Sequence, residues 1–434
     1  MSRLAGNIAV VCTAQFVVVL DVTIVTTALP AVGVDLGVHR TELPWVITAY
    51  TLVVGALLVP CGRLTDLLGP RRTFRVGVAA FVASSAACAV AWNPAVLVAA
   101  RAVQGLGAAL LSPAALALLT AISEPGAVRR RAVGWWTAAA AGGGASGWVL
   151  GGLLTEFLGW RSVFWVNVPI GLVLLVVRTL PPGVRQRVAF DVPGAVATTV
   201  TLGLVVYGLH NHDWLPLLLA VVVAVPLVRH LLRTADPVLP VLRSAAGPNL
   251  VALALTACTT PAMYLSTLYV QDVMGLSPAV ASLLFPAFNL AVIAGSLAGP
   301  SVLRRLGPGR VMLIGFVALA GSAGVLAALP GGGMPVGQLL VAFAGMGAGL
   351  GVASVASTHA GTEAVEPGRQ GVAGGVLMSS AQVGNAVGLA VLTPLAATPD
   401  DYRVGFLGTG VIAVAGMVIA WRVRVPVPSA GGSR

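Results

Sequence analysis

FVVVLDVTIVTTALP, Phe16 to Pro30, is apolar enough to enter a bilayer, yet it carries a carboxylate, Asp21. A helix crossing the ~30 Å hydrocarbon layer needs about 20 mostly apolar residues. The run that contains this stretch, 5–30, is long enough. A charge at such depth is costly, so Asp21 needs a partner, a proton or a function.

The rest of the chain has the same character. Of its 434 residues 57% are hydrophobic and 9% charged, with a mean hydropathy of +0.95. Soluble domains carry about a quarter charged residues, so the composition excludes an ordinary soluble enzyme. All 25 basic residues are arginine. The absence of lysine excludes a Walker-type phosphate loop and lysine Schiff-base chemistry. Cys12, Cys61, Cys88 and Cys258 are isolated, with no CxxC, so neither a metal site nor a disulfide frame is read. No cofactor is expected.

Fourteen spans can be marked: 5–30, 44–60, 74–92, 95–120, 133–155, 163–180, 192–210, 214–231, 249–269, 279–302, 311–329, 335–357, 371–395 and 404–421. Long apolar runs make these helices rather than barrel strands. With the N-terminus in the cytoplasm, 21 arginines fall inside and three, Arg40, Arg161 and Arg403, outside. The positive-inside rule therefore sets the orientation. The same placement in short loops argues against nucleic acid as the partner behind the net charge of +11. An even span count puts both termini in the cytoplasm of a multi-pass cell (inner) membrane protein. Trp45, Trp92, Trp160, Trp165, Trp214 and Tyr402 fall near outer span ends, as an aromatic belt requires.

Three echoes point to a repeat. LLGPRR (67–72) matches RLGPGR (305–310), QGLGAALLSPA (104–114) matches AGMGAGLGVAS (344–354), and Gly147 and Gly151 match Gly384 and Gly388. The offsets are 238, 240 and 237 residues. The expected architecture is all-α: a six-helix bundle over 1–185, an inserted helix pair and linker over 186–245, a second six-helix bundle over 246–425, and a flexible tail, 426–434. Parallel repeats of this kind place a substrate site at their interface and move around it.

Four stretches resemble the major facilitator superfamily, and within it the fourteen-span drug:proton antiporters. LDVTIVTTALP (20–30) is similar to the family's first-span signature. GRLTDLLGPRR (62–72) resembles its loop motif. RAVQGLGAALLSPA (101–114) resembles its fourth-span motif. GGASGWVLGGLLTEFLGWRSVFWVNVPIG (143–171) resembles the fifth-span antiporter motif and the segment after it. Three positions depart from the pattern: Thr26 stands for Asn, Leu67 for a basic residue, and Trp148 for the antiporter-motif proline.

Asp21 lies nine residues from Pro30 and Arg101 seven from Pro94, depths of about 13 and 10 Å at 1.5 Å per residue. The two intramembrane charges thus share a level and have opposite sign. The resemblance implies that spans 1 and 4 line a central cavity and that Arg101 couples to proton handling. Asp21 is then the carboxylate that exchanges a proton for substrate; a static bridge between helices is the other reading. The resemblance also implies a gating loop of Gly62, Asp66, Gly69 and Arg71. Asp66 is placed near the start of span 3, where it gates or simply caps a helix. Gln104, Gly105, Gly143, Gly147, Gly151, Gly152, Asn167, Asn289, Gln382 and Asn385 are candidates for cavity lining and helix packing. His210, His212 and Asp213 could hold a metal, but a polar turn between the inserted spans explains them better.

The reading is a proton-coupled secondary transporter, not an enzyme, that exports small amphipathic drugs or antibiotics by alternating access. It works as a monomer in the lipid bilayer, with protons as the second partner. Import, a narrow metabolite or lipid as substrate, and a membrane sensor or enzyme are the alternatives.

Overall fold

The computed structural model describes residues 2–39, 42–124, 127–177, 180–181, 191–233, 244–330, 334–365, 370–396 and 402–423. The tail 426–434 and Arg40, Arg178, Arg185, Arg187, Arg243, Arg369, Arg424 and Arg434 lie outside these.

Each marked span is helical. The first group comprises α1 (Ser2–Leu36), α2 (Trp45–Leu68), α3 (Pro70–Ala89), α4 (Pro94–Ile122), α5 (Ala127–Leu158), α6 (Ser162–Trp165) and α7 (Asn167–Val176). The inserted pair is α8 (Val192–Asn211) and α9 (Trp214–Arg233). The second group comprises α10 (Ala246–Leu268), α11 (Pro278–Ser282), α12 (Pro286–Leu306), α13 (Pro308–Ala327), α14 (Val336–Glu363), α15 (Gln370–Leu392) and α16 (Tyr402–Arg422). Among the described residues, ten helices are long and apolar enough to cross a membrane. α3 is not among them; it opens on Arg71, Arg72 and Arg75.

Three spans are not single α-helices. Span 6 breaks at Val166 into α6 and α7. Span 10 breaks into α11 and α12, and α10 runs on into a π-helical turn, Tyr269–Val273. Hydropathy alone does not register such breaks. Helix starts are legible locally: Asn93 accepts a hydrogen bond from Val96 N at 2.8 Å, with Pro94 in the first turn.

The repeat is built into the backbone. Gly69 and Gly307, 238 residues apart, both have positive φ (89° and 76°), and each precedes a proline that opens a helix. Only glycine takes that conformation without strain. Gly147 and Gly151 pack α5 on α1, while Gly384 and Gly388 pack α15 on α10. Gly107 meets α3 and Gly349 meets α13 in the same way, at an offset of 242 rather than the 240 of the sequence echo.

α8 rests on both α2 and α15. Leu52, Val206, Ala386 and Ala390 form a small apolar cluster there. The inserted pair therefore lies along one seam between the groups. At its far end His210 is buried edge-on against Trp45, with ring centroids 5.2 Å apart. No group of three His, Cys, Asp or Glu able to hold a metal occurs among the described residues. Trp92, Trp165 and Trp214 are exposed as belt residues should be, but Trp160 and Tyr402 are buried. Their polar atoms explain why: Trp160 Nε1 donates to Asp35 at 3.0 Å and Tyr402 OH to Asp272 at 3.4 Å.

Candidate functional site

Asp21 and Arg101 meet. Arg101 Nη1 donates to Asp21 Oδ2 at 2.5 Å, and both side chains are fully buried. The carboxylate also accepts from Gln104 Nε2 at 2.8 Å and Asn167 Nδ2 at 2.7 Å, both on Oδ1. Gln104 Oε1 in turn accepts from Arg101 at 2.6 Å, and Gln104 Nε2 also reaches Ser85 Oγ at 2.6 Å. Arg101 Nε donates to the Val46 carbonyl at 2.9 Å, and its guanidinium lies 4.4 Å from the centre of the Tyr50 ring. Helices α1, α2, α3, α4 and α7 thus converge on one charge pair. Such extra bonds are what make a buried pair tolerable, although Arg101 Nη2 finds no hydrogen-bond partner among the described residues.

Sequence reasoning found Asp21, Arg101, Gln104 and Asn167 but missed Ser85, Tyr50 and the Val46 carbonyl. Ser85 had a signal, a hydroxyl in mid-span 3. The carbonyl had none, because any backbone oxygen could serve.

A cavity of about 800 Å³ lies elsewhere. It opens between the two groups at the end that carries the termini. Its wall comes from the later turns of α2, α4 and α14 and the first turns of α10 and α15. The lining is apolar with scattered hydroxyls, such as Ser112, Thr256 and Ser357, and the charged residues Arg63 and Asp66. Of the two spans expected to line a central cavity, α4 lines this one and α1 does not, and Asp21 and Arg101 are sealed inside the first group. Gln104 and Asn167 are sealed with them.

The other candidates divide. Gly62 and Asp66 do line the cavity. Asp66 sits in the last turn of α2, not at the start of α3, whose N-cap is Gly69 with no side-chain bond. Capping therefore does not explain it. Arg71 lies in the first turn of α3. Gly105 packs against the Tyr50 backbone of α2. Gly143, Gly147 and Gly151 form the face of α5 that meets Phe16, Leu20 and Ile24 of α1. Asn385 bonds Thr260 at 2.6 Å and Gln382 at 2.7 Å, a bridge within the second group. Gln382 also abuts Gly55 of α2, across the seam.

The opposite end is shut by a second set of contacts, in which Gly152 and Trp148 take part with Gln271 and Glu156. Gln271, in the π turn, donates to the Thr27 carbonyl of α1 at 3.2 Å. Glu156 accepts from Ala279 N at 2.8 Å. The Ser277 hydroxyl, then that amide, hold the Glu156 carboxyl below its ordinary value, against slight desolvation. Gly152 abuts the Pro278 carbonyl and Ser282. Trp148 stacks on Phe285, with ring centroids 4.3 Å apart and planes within 10°. Its Nε1 is buried without a hydrogen-bond partner among the described residues, a condition that costs about 1–3 kcal/mol.

Comparison with known proteins agrees with this geometry. A sequence model described as Major Facilitator Superfamily matches residues 11–389 and 250–434. The chain is 36% identical to the cephamycin export protein CmcT of Amycolatopsis lactamdurans, over 96% of this chain and 90% of that one. It is also 36% identical to the puromycin resistance protein pur8 of Streptomyces alboniger, over 89% and 80%. Among solved structures, a POT family transporter superposes with a TM-score of 0.73 over 95% of this chain and 94% of that one. At 11% identity that likeness shows the fold alone. With the two helix groups, the paired loop motifs and these matches, the chain belongs to the major facilitator superfamily.

Proposed function

We propose that the chain is a proton-driven exporter of small amphipathic antibiotics or drugs. It acts as a monomer in the cell (inner) membrane, with both termini in the cytoplasm. The groups 1–185 and 246–425 are its moving halves and 186–245 the inserted strut. The observation that carries this reading is an apolar cavity open between the halves at the terminal end, together with a carboxylate–guanidinium pair sealed inside the first half. The arginine distribution puts that opening toward the cytoplasm. The names of the similar export and resistance proteins support the substrate class.

Substrate in the cavity does not touch Asp21, so coupling runs through helix position. Asp21 is held by three donors from α4 and α7. Movement of α1 against α4 admits water and a proton. Protonation then removes the charge that Arg101 pairs with, and the two helices lose their electrostatic tie. One proton exchange and one change of access become the same event, the condition for coupled transport.

Inside-out vesicles test this. An imposed acid-interior gradient should drive accumulation of puromycin or ethidium, and nigericin should abolish it. Accumulation that persists without the gradient would remove the proton from the cycle. Gradient-driven loss from the vesicles would make the chain an importer.

A further inference from the structure

α5 carries a second face. Gly144, Trp148, Gly152 and Glu156 recur every four residues, the helical repeat that stacks side chains in one stripe. This stripe meets the second half in reverse order. A methyl on Gly144 would lie 3.3 Å from Asn289 Oδ1. Trp148 stacks on Phe285, which stacks in turn on Phe343 at 5.2 Å. Gly152 abuts Pro278 and Ser282, and Glu156 takes the Ala279 amide. Two layers of glycine let the helices approach; Trp148 is the one bulky member. It is 4% exposed, and its indole N–H has no partner among the described residues.

We propose that Trp148 is a positioning residue for the alternation step: its stack on Phe285 holds the end opposite the termini shut, and its unpartnered N–H keeps that closure reversible. The stack favours the closed seam through buried aromatic contact. The orphan donor opposes it, because parting the seam lets the N–H find water. Two opposed contributions of similar size leave the equilibrium near balance, as an alternating protein requires. A proline at this position would supply neither.

The consequence is that Phe and Ala at position 148 act in opposite directions. Trp148→Ala removes the stack and opens the seam. Trp148→Phe keeps a ring and deletes the donor, so it closes the seam further. A residue that merely fills space predicts one direction for both. The proposal rests on the alternating-access reading only in taking the halves to move, and its spin-label readout needs neither substrate nor gradient.

The test is spin-label distance measurement between Val34→Cys and Leu283→Cys, both exposed at that end, one in each half. Cys12, Cys61, Cys88 and Cys258 are replaced first. Relative to Trp148, the ratio of long to short distances should rise roughly tenfold for Trp148→Ala and fall by a similar factor for Trp148→Phe, the size one aromatic contact or one unsatisfied donor commands. Where the long population is too sparse to fall, the Phe variant is read as slower turnover at unchanged KM. Phe285→Ala removes the stack from the other side and replaces Trp148→Ala if that variant does not fold. Shifts of the same sign for Phe and Ala, or none in either, overturn the proposal.

Discussion

Arg101→Ala should lower folding stability more than any other single change in the first half, by about 3–5 kcal/mol, the cost of leaving a buried charge unpaired. Asp21 has no exposed surface from which to recruit water. The substitution also strips the Val46 carbonyl of its Arg101 donor, Gln104 Oε1 of an Nη1 bond and the Tyr50 ring of a cation. Asp21→Asn should also destabilise, since its single amide oxygen can keep Gln104 and Asn167 on one side or Arg101 on the other, while its NH2 faces the remaining donor and the guanidinium loses its counter-charge. The pair Asp21→Asn/Arg101→Gln should recover part of the loss, because no net charge is then buried. Arg101→Lys should not rescue, as one ammonium cannot span Val46 and Asp21 in the guanidinium's fork. Thermal unfolding in detergent checks the series. A melting temperature for Arg101→Ala within about 2 °C of the unmodified protein would show that the pair carries little stability.

Gly151→Leu should be nearly as damaging, by a different route. A single methyl there would lie 2.6 Å from the Ile24 carbonyl oxygen and collide with Thr27 Oγ1. A leucine must push α5 off α1, and α1 carries Asp21. Small residues at helix crossings are how membrane helices pack closely, because lipid gives no hydrophobic drive between them. Gly151→Ala should cost about 1–3 kcal/mol as ordinary overpacking. Gly142→Ala on the same helix should cost nothing, since its nearest neighbour, the Phe16 ring, is 3.9 Å away. Yield of monodisperse protein, with thermal unfolding, separates the three. Equal behaviour of Gly142→Ala and Gly151→Leu would refute the close contact.

Much of this was readable in the residues. Apolar run length located fourteen helical stretches, and ten helices among the described residues are long and apolar enough to cross a membrane, because a bilayer demands a minimum length and tolerates few charges. Depth counting from Pro30 and Pro94 put Asp21 and Arg101 on one level, and the rise per residue of a helix is fixed well enough for that to hold. What failed was the assignment of faces. In a soluble helix the apolar stripe marks the inward side. Here α1 is apolar all round, so nothing in its pattern separates lipid, neighbour and cavity. Gln104 and Asn167 were therefore offered to the cavity when they serve Asp21. Trp148 was noticed only as a departure from a proline. Its partner Phe285 lies 137 residues away, on a helix whose break hydropathy does not record.

The central claim is that Asp21 ties the proton to the export step. Protein reconstituted in liposomes, under an imposed pH gradient, is assayed for ethidium movement with the unmodified chain and Asp21→Asn side by side. Gradient-driven movement should be abolished by the substitution, while the folded variant, purified as a monodisperse species, still binds ethidium. Equal gradient-driven transport by both would make the Asp21–Arg101 pair a structural bridge and contradict the account.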